Sequence, residues 1–194
     1  MIKSNNIIIL LLCLLSANSY AGGLWPELDI NDTKLPKESV MRQCYKSLFY
    51  APEQLEAWCD KAYELGYWQA LEYIGLHTGD GSRYISELNS RAELGKLDAI
   101  FYLAKNYSDG RFVSRNIDKS ISLYNQYLNN KTSEEKHLLN SVHKELYLIY
   151  KELGNIEKTV EHKKYLEEHD DTKAKNEMLK KQLEEAGVNL NIIE

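Results

Sequence analysis

A spacing that occurs twice constrains this chain more than any other feature. Gly66, Ala70, Ile74 and Gly75 are followed 29 residues later by Gly95, Ala99, Leu103 and Ala104, and the second copy continues with Tyr107, Gly110 and Val113. Self-similarity at a period of this order marks stacked helix pairs, because one pair cannot bury its apolar face alone. The repeat predicts an all-α chain whose work is done by a shaped surface rather than by a reaction centre.

The punctuation along the chain agrees with that reading. Pro36, followed by Glu38, opens a helix that runs through about Phe49, and Ala51-Pro52-Glu53 breaks it and starts a second through Leu65. Further helices are expected at 67–78, 82–94, 96–108, 117–130, 134–153 and 155–168, with Gly79, Gly81, Gly95, Gly110 and Gly154 at the turns. No run alternates with period two for long enough to suggest a sheet. The last segment, Asp171 to Ala186, places Met178, Leu179, Leu183 and Ala186 on one helical face, with Lys, Glu and Gln elsewhere. It reads as a capping helix within residues 169–194, with a short coiled coil as the alternative.

The first 21 residues set the expected compartment. Lys3, the apolar run Ile7 to Leu15, and Ser19-Tyr20-Ala21 have the layout of a cleaved secretory signal. An uncleaved anchor or a membrane span is the alternative, but the run falls short of the roughly 20 apolar residues a spanning helix needs. Residues 22–35, with Gly-Gly and Trp25-Pro26, read as an extended arm docked through Trp25, Leu28 and Ile30, and residues 36–168 as the helical domain. The expected location is therefore secreted or periplasmic, with no membrane span once the signal is removed.

Charge and cysteine content narrow the partners. The chain has 24 basic and 29 acidic residues, a net charge of −5, and no basic run, so nucleic acid is a poor partner. Of its 3 cysteines, Cys13 lies in the signal. Cys44 and Cys59, on consecutive expected helices, read as a disulfide in an oxidising compartment, against the alternative of two buried thiols.

Within residues 54–128 the chain resembles the Sel-one-like repeat family, relatives of the tetratricopeptide repeats. Trp58, Lys61 and Ala62 precede Gly66 as the second helix of one unit, and Ala70, Ile74 and Gly75 open the next. The better copy runs from Gly95 through Ala99, Leu103, Ala104, Tyr107, Gly110 and Val113 to Asn116, Lys119, Leu123 and Tyr124. Thr78 and Ser120 depart from the family pattern, and Glu145 to Glu168 looks more like an ordinary tetratricopeptide pair. The resemblance implies a short right-handed α-solenoid of antiparallel helix pairs. It also implies that Ala70 and Ala99 are buried at helix contacts and that Trp58, Leu103, Tyr107 and Tyr124 are core. Some cysteine-rich secreted relatives have been connected with penicillin binding; this chain lacks their recurring cysteine pairs, so that activity is not carried over.

No catalytic or metal constellation is expected. His162 and His169 are seven residues apart, and His137 and His143 six, neither matching the four-residue spacing of two ligands on one helix face. His77 near Asp80 reads as a helix-end residue rather than a base with its acid. No cofactor is implied. In tetratricopeptide-like arrays the first helix of each pair lines a concave groove. This register assigns Gln69, Glu72 and Leu76, then Asp98, Phe101 and Lys105, then Lys144, Leu148 and Lys151 to that surface. Such a mixed lining suits a protein or peptide partner, with Phe101 the expected aromatic anchor between Glu72 and Lys105. Two binding roles fit, an envelope adaptor or an immunity protein that occludes a toxin; the alternative class is an enzyme acting on cell-wall peptides or β-lactams.

Overall fold

A computed structural model describes residues 28–130 and 138–169, together with Lys181, Gln182 and Glu185. The expected signal, Trp25 and most of the expected capping segment lie outside the described residues. Among the described residues all regular structure is helical: α1 (Lys37–Tyr50), a 3-10 turn (Pro52–Gln54), α2 (Leu55–Glu64), α3 (Ala70–Thr78), α4 (Ser82–Glu93), α5 (Leu97–Asp109), α6 (Ile117–Asn130), α7 (Leu139–Glu152) and α8 (Ile156–Glu168). The Pro36 carbonyl accepts the first bonds of α1, from Ser39 and Val40. Asn155 caps α8 by accepting from the Lys158 amide at 3.0 Å, and Asn116 does the same for Lys119 at the start of α6, at 2.9 Å. The helix expected from residue 67 begins three residues later because Ala70, Leu71 and Glu72 donate to Tyr67, Trp68 and Gln69, the tighter i−3 pattern.

Helices α2, α4 and α7 end in the same way. Gly66, Gly95 and Gly154 have φ of 98°, 75° and 70°, a region that costs glycine little and other residues much. At each end the glycine N–H donates to the carbonyl three residues back (Tyr63, Ala92, Lys151), and the next N–H donates five back, to Ala62, Arg91 and Tyr150. This pair of bonds satisfies two carbonyls that the helix leaves open. Gly81, expected as a turn glycine, is small for a different reason: its φ is ordinary, and a Cβ there would run into the Phe112 ring.

The chain divides at Gly79 and Asp80 into two compact bodies. In the first, α1 packs on α2 and α3, and α2 on α3. Val40, Leu55, Trp58, Ala62, Ala70, Leu71 and Ile74 are buried there, as is Trp68. Cys44 of α1 and Cys59 of α2 stand at disulfide distance, with Cα atoms 4.6 Å apart. The Lys61 ammonium donates to the Ile30 carbonyl, which fastens the described part of the arm. In the second body each helix packs on the next, and α5 also meets α7. Its core is the apolar stripe of α5 (Leu97, Ile100, Phe101, Ala104) against Tyr124 and Tyr127 of α6 and Leu139, Val142, Leu146 and Ile149 of α7. Those positions recur three and four residues apart, which puts them on one helix face.

Candidate functional site

The expected groove residues fall on three helices. In the first body, Gln69 precedes α3, Glu72 is half-buried on it and Leu76 is exposed. In the second, Asp98 and Lys105 of α5 are half-buried, while Lys144, Leu148 and Lys151 of α7 are exposed.

Phe101 differs from the expectation. It is 6% exposed, so it cannot serve as a surface anchor. Its ring lies 5.2 Å from that of Tyr102 and 5.9 Å from that of Tyr124, because position 101 continues the apolar stripe of α5. Tyr107 departs the other way. Expected in the core, it is half-buried, and Lys119 donates to its hydroxyl at 2.6 Å with the ammonium 4.2 Å from the ring centre. Ala70, Ala99, Leu103, Trp58 and Tyr124 are buried.

Lys105 carries the best-defined charge contact between helices. Its ammonium lies 3.0 Å from Glu145 of α7 and 3.3 Å from Asp109 of its own helix. Burial alone would lower the Lys105 pKa, but the two carboxylates outweigh it and the net shift is upward. The Tyr124 hydroxyl beneath is pushed far above the usual phenol range, first by burial and then by Glu145 and Asp109. The lysine is therefore charged and the phenol neutral near neutral pH, and the Lys105–Glu145 pair bridges α5 and α7.

A second cluster lies between α7 and α8. Nδ1 of His143 and Nδ1 of His162 are 3.0 Å apart. Tyr165 stacks on His143 with ring centres 3.5 Å apart, Tyr150 is parallel to His162 at 5.6 Å, and His169 covers Tyr165 at 4.1 Å. His162 is buried, and its pKa is lowered by burial; Glu161 acts the other way and Lys158 in the same direction. Spacing within one helix could not reveal this pair, because its members lie on two helices. The signal available was their distance from the Gly154 turn, eleven and eight residues, which at 1.5 Å rise per residue gives similar heights on the two helices.

Two further features belong to the first body. A cavity of about 370 Å³ is lined by Leu28, Asp29, Ile30, Glu53, Gln54, Ala57 and Trp58. Most of its polar lining is engaged locally: Asp29 accepts from the Asn31 amide at 2.9 Å, and the Trp58 indole donates to Gln54 at 3.3 Å. On α1, Tyr45, Phe49 and Tyr50 are exposed, Phe49 at 62%, and Tyr45 stands edge-on to Tyr73 at 5.5 Å. Among the described residues no three His, Cys, Asp or Glu side chains converge to hold a metal, and no helix is long and apolar enough to cross a membrane. No protein-family model matches the chain, and neither does any curated protein or solved structure.

Proposed function

We propose that this chain is a secreted or periplasmic repeat protein of the Sel-one-like kind that binds another protein without catalysis, as an envelope adaptor or as an immunity protein that occludes a toxin. In this reading its helices pair antiparallel into a short right-handed solenoid, and residues 169–194 cap its last pair. The observation that carries the proposal is the recurring helix end: the same two backbone bonds close α2 and α4 at the 29-residue period of the sequence repeat. Chains that repeat one supersecondary unit present extended surfaces, and binding is their common use. The cysteine pair at disulfide distance is compatible with an oxidising compartment.

The binding surface is drawn from the exposed members of the expected groove. On the second body these are Lys144, Leu148 and Lys151; on the first, Leu76, flanked by half-buried Gln69 and Glu72. The aromatic contact that buried Phe101 cannot make is available on the first body from Tyr45, Phe49 and Tyr50, side chains of the type that dominate interfaces. The test is capture from envelope extract with protein beginning at Gly22. A Lys144→Glu, Leu148→Ala, Lys151→Glu variant and a Tyr45→Ser, Phe49→Ser variant should keep the helical circular dichroism of the parent. At least one should lose about tenfold or more of the captured partner. Full capture by both would remove these surfaces from the proposal. An immunity role further requires a toxin gene beside this one.

A further inference from the structure

We propose that His143 and His162 form a two-histidine chelate for a divalent transition-metal ion, with zinc, nickel and copper(II) as the class of ligand. The site is independent of the protein-binding role. The two Nδ1 atoms face each other at 3.0 Å. A hydrogen bond of this length needs one ring as donor and the other as acceptor, so the two nitrogens point at each other with a single proton between them. Two imidazole nitrogens about 2.05 Å from a tetrahedral zinc stand about 3.3 Å apart. Replacing the shared proton by a metal ion thus asks the rings to separate by a few tenths of an ångström and to pivot, each in its own plane, so that both lone pairs turn toward an ion standing off the line between the nitrogens.

The surroundings hold the rings in that orientation. Tyr165 lies flat against His143 and Tyr150 parallel to His162, so each imidazole plane is set by a neighbour from the same pair of helices. A metal ligand must be neutral, and burial already disfavours the charged form of His162. Around the pair, α8 contributes Lys158, Glu161, Tyr165 and His169, and α7 contributes Tyr150. The Glu161 carboxylate bonds Lys158 at 2.7 Å, is held below its ordinary pKa mainly by that bond, and also senses both imidazoles. It supplies negative charge near the incoming cation. On binding, the donor ring gives up its Nδ1 proton and carries one at Nε2 instead, so neither ring changes charge and the ion exchanges two of its waters for two nitrogens. The remaining coordination positions stay with water, since no third protein ligand converges there among the described residues.

The experiment is calorimetric titration of protein free of any histidine tag with zinc, nickel and copper(II) at pH 7.5. One ion per chain is expected, with copper bound more tightly than zinc. Loss of even a hydrogen-bond partner behind a ligand typically costs about 10–100-fold in metal affinity, so His143→Gln and His162→Gln should each cost no less. His77→Gln should bind as the parent does. Because His162 is buried and its variant can fail to fold, the unaltered protein gives a second reading. Long-range proton–nitrogen spectra should show two histidines shifting at Nδ1 when zinc is added. Absence of stoichiometric binding, binding that survives both substitutions in folded variants, or shifts confined to other histidines would overturn the site.

Discussion

The body at residues 28–79 and the body at residues 80–169 are both made of short helices, yet they hold those helices together by different means. The first has three helices, a small apolar core and a covalent link from α1 to α2. A body of roughly 50 residues buries too small a share of its surface for a wide margin of stability, and a staple across its helices is the usual remedy. Among its described residues the second has five helices, and it has no cysteine. Its continuous stripe from α5 through α6 to α7 does the work that the disulfide does in the first, and polar contacts such as Lys105 to Glu145 and His143 to His162 are added between helices. The difference teaches that one repeat pattern can be stabilised by a cross-link where the core is small and by packing where it is larger.

The comparison can be broken most forcefully inside the second core. Ala99 is fully buried, and Ala99→Lys forces a charge and extra volume into a helix contact, so the second body should lose about 4 kcal/mol. Hydrogen exchange should show the loss in residues 80–169 while residues 28–79 stay protected. Collapse of both would mean that the bodies do not stand alone. The reciprocal change, Cys44→Ala with Cys59→Ala, should cost the first body roughly 3 kcal/mol, as expected for a closed loop of 15 residues. Denaturant unfolding of that variant should leave the second body at its original midpoint.

A smaller effect distinguishes the bodies by pH. His162 has a folded-state pKa below its ordinary 6.5, so the native second body binds fewer protons than the unfolded chain in that range. Its contribution is fully present above about pH 6.5 and is lost as pH falls through the lowered value. Melting from pH 8 to 5 in the presence of a chelator should show this decline, and His162→Gln should flatten it; an identical slope in that variant would assign the decline to other groups. The smallest effect concerns Ser120, buried in the second body with its hydroxyl unpartnered. Ser120→Ala should raise stability by about 1 kcal/mol, because it removes a polar atom that burial leaves without a hydrogen bond. A loss of stability would mean that the hydroxyl finds a partner in solution.

Much of the helical layout was legible because it is written in local chemistry. The α6 boundaries, the glycine ends of α2, α4 and α7, and burial of Ala70 and Ala99 follow from capping, backbone freedom and period. What was not legible depends on residues far away in the chain. Phe101 sits at the margin of the α5 stripe, and whether it faces water is decided by Tyr124 of α6. Tyr107 lies half-buried and is covered by Lys119, twelve positions later. Gly81 stands in the expected turn, but the demand on its size comes from Phe112, thirty-one positions later. The histidine pair escaped for the same reason, since its two members share no helix.

The placement of aromatic residues gives the two bodies separate optical signatures. None of the three tryptophans lies in the second body; Trp58 and Trp68 are buried in the first, and Trp25 lies outside the described residues. Light absorbed only by indole therefore reports the first body, with Trp58 directly beside Cys59 as a witness to the state of the cross-link. The second body absorbs through tyrosine and phenylalanine, and two of its tyrosines, Tyr150 and Tyr165, lie flat against imidazoles. One unlabelled sample thus carries an indole reporter that the second body lacks, excited at wavelengths where the tyrosines of both bodies do not absorb.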